Sequence, residues 1–318
     1  MTKKSNSQTP ETKKTKTSYS VELSGDSIGR LQDFLSQASE FKPYEVGHTL
    51  FAYKGDQVNV VGYKSHKVVI QGKRTEAFVQ FVLEPEITGE PRMGYEELQH
   101  PEWYEPHAGL DESGKGDFFG PLVSACVIAD AEMVRAWRQA GIQDSKRISS
   151  DASILKMENM IRKTKGVVVR LCWANMRKYN ELHQKFEANT NKLLAWMHAK
   201  SLQEALKIRR VEWGMLDQFS KAPLVQRYFR EDPIDLRMVT KAESDPVVAA
   251  ASICARAEYV RQMRLLSEKS GLSLKKGASA MVKEQAVELV QTFGQEALYD
   301  YAKMHFRTSQ EVLAKASQ

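Results

Sequence analysis

Cysteine is scarce in this chain. Cys126, Cys172 and Cys254 stand far apart among 318 residues, with no CxxC pair. An odd, scattered set argues against both a disulfide framework and a paired-cysteine zinc site. Long apolar runs are missing as well. No stretch approaches the ~20 consecutive apolar residues that a membrane-spanning helix requires, and the mean hydropathy is −0.47. The opening residues, Met1 to Gln8, are polar throughout and lack the apolar centre of a secretory signal. These absences predict a cytoplasmic protein with no membrane association. Charge of one sign is in small surplus only: 46 Lys and Arg against 40 Asp and Glu leave +6. Such a balance permits a polyanionic partner without requiring one.

At about 150 residues per domain the length allows two domains, and the chain divides accordingly. Residues 1–18 form an expected disordered basic tail, with Lys3, Lys4, Lys13, Lys14 and Lys16 among polar residues and almost nothing apolar. From 19 to 90 a small α+β domain is expected. Ile28, Leu31, Phe34 and Leu35 recur at helical spacing, and three β-rich runs follow at His48–Lys54, Gln57–Lys64 and Lys67–Gly72. Glu76–Leu83 reads as strand by residue type or as amphipathic helix by spacing. Lysines 54, 64, 67 and 73 and tyrosines 53 and 63 intersperse these strands. Such a face can lie against a sugar-phosphate backbone or simply face water. Prolines 85, 91, 101 and 106 with Gly89 and Gly94 mark a linker by composition from Glu84 to Pro106, with the domain boundaries set at 91 and 105.

Residues 106–318 read as an α/β domain. Apolar runs at Leu122–Ala129, Gly166–Ala174, Val211–Leu216 and Leu236–Val239 alternate with helical periodicity over Asn175–Arg209 and Pro246–Lys269. Trp173, Trp196 and Trp213 fall in apolar segments and are expected in the core, as are Cys126 and Cys254. His183, His198 and His305 show no metal-ligand spacing and are expected to be structural.

Gly109 through Lys115 match the GxxxxGK of a phosphate-binding loop, but Gly116 stands where Ser or Thr would hold magnesium, and Phe118-Phe119-Gly120-Pro121 is a poor helix start. Asp111 and Glu112 would also repel a triphosphate, so the nucleotide reading is rejected. An Asp-Glu pair at a strand end is either an exposed acidic turn or half of a cation site. Two further strands end in acid, Glu212–Asp217 at Asp217 and Leu236–Val239 leading to Glu243 and Asp245. Carboxylates from separate strands that converge would suit magnesium or manganese, not zinc. A Ser–His–Asp triad has no nucleophile-elbow motif to support it.

The segment Asp111-Glu-Ser-Gly-Lys-Gly-Asp-Phe-Phe-Gly-Pro121 resembles the signature of the type 2 ribonucleases H, in the form found in bacterial ribonuclease HIII. The resemblance continues through Asp144-Ser-Lys146, Tyr179–His183, Asn191-Lys192, Leu216–Gln218, Thr240–Glu243 and Ala249–Ile253 to Lys303–Phe306. It implies a ribonuclease H-like catalytic domain preceded by a TATA-binding-protein-like domain that binds RNA–DNA hybrids; Val68–Lys73 resembles that module in detail. It further implies a monomeric endonuclease using Mg2+ or Mn2+. Asp111, Glu112 and Asp217 match the metal-binding carboxylates and Glu243 the fourth catalytic acid, while Gly114, Lys115, Gly116 and Lys146 match substrate-binding positions. Asp245 competes with Glu243, but an acid before Pro246 and an Ala-rich run is an ordinary helix cap. Lys115 departs from the Gly-Arg-Gly of ribonuclease HII, which puts cleavage at single embedded ribonucleotides in doubt. A non-catalytic hybrid-binding protein is the remaining alternative.

Overall fold

The computed structural model describes residues 17–90, 96–142, 145 and 148–316. Residues 1–16 of the expected tail, Asp144 and Lys146 lie outside the described residues. The chain forms two compact units, Met1–Pro101 and Glu102–Gln318.

In the first unit, β1 (Ser18–Glu22) and α1 (Gly25–Gln37) precede β2 (Lys42–Pro43), β3 (Thr49–Gly55), β4 (Val58–Tyr63) and β5 (Lys67–Gln71). The Ser24 side chain caps α1 by accepting from the Ser27 amide at 3.2 Å. Ile28, Leu31 and Leu35 form its buried stripe. The strands make an antiparallel sheet in the order β1-β5-β4-β3-β2, joined at β3–β4 and β4–β5 by tight turns in which Gln57 and His66 take positive φ. β1 alternates Tyr19 and Val21 with polar residues over only five positions and β2 has two residues, and their pairing shows only in the folded chain.

The ambiguous segment after β5 is helical. A short α2 (Thr75–Phe78) runs into a widened π-helix over Val79–Thr88, with Pro85 inside it, ended by Gly89 at φ 70°. Val79, Leu83 and Ile87 are buried at a spacing of four, and Glu84 is buried with them. Over Glu84–Thr88 the linker composition is therefore misleading: Pro85 costs the helix one donor, and burial of this stripe outweighs that loss. α3 (Glu96–Gln99) follows.

Strand alternation separates the two sheet faces. Phe51, Val60, Val68 and Ile70 pack with α1 and the π-helix, and Tyr53 joins them. The opposite face carries Lys42, Lys54, Asn59, Tyr63, Lys67 and Gln71 around Ala52 and Val61.

The second unit is built on a mixed five-stranded sheet, β6 (His107–Ser113), β7 (Val123–Ala129), β8 (Val168–Trp173), β9 (Trp213–Asp217) and β10 (Asp235–Val239), in the order β10-β9-β6-β7-β8. β6, β9 and β10 are parallel neighbours, while β7 runs antiparallel to β6 and β8. α4 (Ala131–Gln139), α5 (Asp151–Lys163) and the long α8 (Pro246–Ser270) pack on one face with Val123, Ala125, Val127 and Val169. α6 (Met176–Lys185) and α7 (Thr190–Leu206) belong to the other face, where α7 meets Ala108, Leu110, Cys126 and Leu216. α9 (Ala280–Phe293) and α10 (Arg307–Ala316) complete the unit.

Trp213 and both expected core cysteines are buried, and Trp196 is partly so. Trp173 is not: it closes edge strand β8 and remains 38% exposed. Its apolar sequence neighbours concealed an edge position with one side open.

Candidate active site

The acids of interest gather where β6 and β9 end. Leu110 pairs with Leu216 across the parallel ladder, which sets Asp111 and Asp217 side by side at the next position. Both follow a residue of the opposite face: Leu110 and Leu216 point toward α7, so Asp111 and Asp217 project toward α8. Asp111 Oδ1 accepts from the Glu112 amide at 2.7 Å, and Asp217 Oδ1 from the Ala242 amide at 3.3 Å. Burial pushes the Asp111 carboxyl up to about 7, and the charges of Glu112 and Asp217 push it the same way, against the hydrogen-bonding influence of the Ser252 hydroxyl and the Glu112 amide.

Glu112, one residue on, turns to the α7 side. Its Oε2 lies 3.1 Å from His198 Nε2, and its Oε1 is 3.9 Å from Lys115 Nζ. Glu243 sits partly buried in a single turn, Ala242–Ser244, directly after Lys241 in left-handed conformation. Asp245 is occupied elsewhere. Wholly buried, it caps α8 through Val247 N at 2.7 Å and holds His107 Nε2 at 2.9 Å. Asp111 and Asp217 are thus brought together, Glu112 is adjacent by chain, and among the described residues no three such side chains already form a closed metal-ligand cluster.

The donor set nevertheless fits a hard divalent cation. It offers only carboxylate oxygens, and the burial and neighbouring negative charge that raise Asp111 are what a bound cation offsets.

The loop after β6 is held at several points. Gly114 has φ 87°, and a Cβ there would stand 2.3 Å from the Pro121 carbonyl oxygen; at Gly116 nothing lies within 4 Å of a Cβ. Gly114 therefore shapes the turn, and Gly116 leaves backbone accessible. The Phe118 carbonyl accepts from Lys303 N at 2.9 Å, the Tyr301 carbonyl from Gly120 N at 3.1 Å.

Three supports escaped sequence reasoning. His198 touches Glu112, Ser252 acts on Asp111, and Ser252 is 2.6 Å from Ser145. His198 and Ser252 are polar residues within apolar helical stripes, and that is the signal which could have exposed them, since buried polar groups require partners.

Comparison with known proteins shows the family. The family described as "Ribonuclease HII" matches residues 108–309, and a "Domain of unknown function (DUF3378)" matches 21–91. The chain is 37% identical over 306 residues to "Ribonuclease HIII" of Chlamydia caviae, covering 95% of this chain and 99% of that one. It is 33% identical over 273 residues to the protein of the same description from Protochlamydia amoebophila, covering 85% and 89%. Among solved structures, "Bst-RNase HIII in complex with Mn2+" superposes with a TM-score of 0.64 at 28% identity, covering 94% of this chain and 99% of the other.

Proposed function

Because the chain belongs to the ribonuclease HII family, on its ribonuclease HIII branch, we propose that it is an endonuclease that hydrolyses the RNA strand of RNA–DNA hybrids. The observation that carries this reading is the side-by-side placement of Asp111 and Asp217 at the ends of parallel β6 and β9, with Glu112 next in chain. Asp111, Glu112 and Asp217 would hold Mg2+ or Mn2+, and Glu243 would act as the fourth acid. Two such ions, when bound, supply an activated water for in-line attack and charge stabilisation for the departing 3′-oxygen, leaving 5′-phosphate and 3′-hydroxyl ends.

The chain's own residues set that site up. The Ala242 amide orients Asp217, and the Glu112 amide orients Asp111. The Gly114–Gly116 turn lets backbone approach the ribose, where a 2′-hydroxyl distinguishes RNA from DNA. Lys115 contributes positive charge toward the phosphates, a role that the family resemblance extends to Lys146. The open face of the first unit, with Lys42, Lys54, Lys67 and Tyr63, supplies sequence-independent, salt-sensitive affinity for the duplex. In this reading the chain acts as a monomer in the cytoplasm.

The test is cleavage of a labelled continuous hybrid by the wild type and Asp217→Asn, with magnesium and manganese compared. Loss of a ligand that contributes several kcal/mol to the transition state predicts a fall of about a hundredfold or more in kcat. Retained turnover would overturn the site. A duplex carrying one embedded ribonucleotide, run in parallel, separates this activity from ribonuclease HII-like incision.

A further inference from the structure

His198 and Ser124 are fully buried, one in α7 and the other in the apolar strand β7. The His198 ring bridges two groups: Nε2 is 3.1 Å from Glu112 Oε2, and Nδ1 is 2.9 Å from Ser124 Oγ. An ionised carboxylate has no hydrogen to give, so Nε2–H donates to Glu112 and Nδ1 accepts from the Ser124 hydroxyl. Behind them Ser124 lies 3.2 Å from Ser201 Oγ, whose hydroxyl donates to the His198 carbonyl at 3.0 Å. The ring is further braced by Phe219, centroid to centroid 5.6 Å, and the same Phe219 carries Lys115 Nζ at 5.4 Å.

The two oxygens of Glu112 are consequently treated differently. Oε2 takes a hydrogen bond from inside the fold, whereas Oε1 faces the Gly114–Gly116 loop, 3.9 Å from Lys115. A histidine serving the core alone needs partners for its two nitrogens, and serine hydroxyls would suffice. Here one partner is a carboxylate at the acidic end of the sheet, rigidly fixed by a ring that is itself fixed from behind.

We propose that His198 is a positioning residue for cation loading, holding Glu112 by Oε2 and so fixing the orientation of its carboxylate toward a divalent ion shared with Asp111 and Asp217. This rests on the ligand assignment above. Partners of metal-binding carboxylates that set their orientation typically contribute 10–100-fold in metal affinity.

The experiment is calorimetric titration of Mn2+ into the metal-free full-length chain without nucleic acid, for wild type, His198→Leu, His198→Gln, Ser124→Ala and Asp217→Asn. Leu fills the space against Phe219 without a donor; Gln returns an amide N–H near the Nε2 position. His198→Leu is expected to weaken Mn2+ binding about tenfold or more, His198→Gln to recover most of that loss, and Ser124→Ala to show a smaller loss in the same direction. In cleavage assays the half-saturating Mn2+ concentration should shift likewise, with kcat at saturating Mn2+ and KM for the hybrid retained. Wild-type Mn2+ affinity in His198→Leu, or a His198→Gln as weak as His198→Leu, overturns the proposal. Should His198→Leu fail to fold, unchanged affinity in Ser124→Ala overturns it instead. Asp217→Asn is the separate control: if it binds Mn2+ as the wild type does, the ligand assignment has failed, and the role of His198 falls with it.

Discussion

Lys303 Nζ, wholly enclosed by protein, donates to the carbonyl oxygen of Asp117 at 2.7 Å across 186 positions of sequence. It also donates to the Gly120 carbonyl. One side chain from the segment before α10 therefore pins the loop that follows β6 at two points, through its backbone.

Burial lowers the Lys303 ammonium from 10.5 to about 7. Between those values the unfolded chain keeps a proton that the folded chain has released, so stability rises with pH through that window; below it both states are protonated and the full cost of burying the charge is felt. Relative to Lys303→Met, the wild type should gain about 1 kcal/mol per pH unit between pH 7 and pH 9. Urea unfolding of the two proteins at both pH values measures it. A flat or falling difference would show that the ammonium is not desolvated.

Gly114 and Gly116 should respond in opposite ways to an added methyl. Gly114→Ala places Cβ 2.3 Å from the Pro121 carbonyl at a positive φ, and it should lower stability by about 1–3 kcal/mol. Gly116→Ala meets no atom within 4 Å. Its melting temperature should stay at the wild-type value while KM for the hybrid rises, because the methyl occupies space left for the substrate. Thermal melts and steady-state cleavage on both variants separate the two effects.

Glu243 and Asp245 are distinguished by what each side chain does. Asp245→Asn keeps a capping oxygen for α8 but loses the carboxylate opposite His107, where both side chains are fully buried. Disturbing this buried hydrogen bond should cost about 1–3 kcal/mol of stability, with cleavage by the folded fraction maintained. Glu243→Gln should do the reverse, unfolding at the wild-type temperature and losing turnover. Denaturant midpoints and kcat, taken together, decide which acid belongs to the chemistry.

Lys54→Ala and Lys67→Ala probe the open face of the first unit. If each lysine neutralises one phosphate, each substitution should reduce the slope of log K against log salt for hybrid binding by about 0.9. Equal slopes for wild type and variants would remove this face from the account of binding.

Much of this was legible in the sequence. The α1 stripe and the strands β3, β4 and β5 emerge within a residue or two of their apolar patterns, and Asp245 followed by Pro246 is a helix start that the structure displays. What stayed hidden depended on three-dimensional neighbours. Trp173 sits in a run as apolar as its buried counterparts, and only the strand order puts it on an edge. Pro85 reads as a break, yet the stripe of Val79, Leu83 and Ile87 carries a widened helix through it. His198 has no ligand spacing, because its partner Glu112 is 86 residues away and on another element.

Gly109 sits two residues before Asp111, and a Cβ there would come within 2.4 Å of the Val247 carbonyl carbon and the Val248 amide nitrogen. Helix and strand thus meet main chain to main chain, with no cushion of side chains to absorb a shift. The acid end of the sheet inherits its tolerance from that bare contact: α8 acts as a jig against which the strand is registered, and slack introduced at position 109 would arrive undamped at the carboxylates.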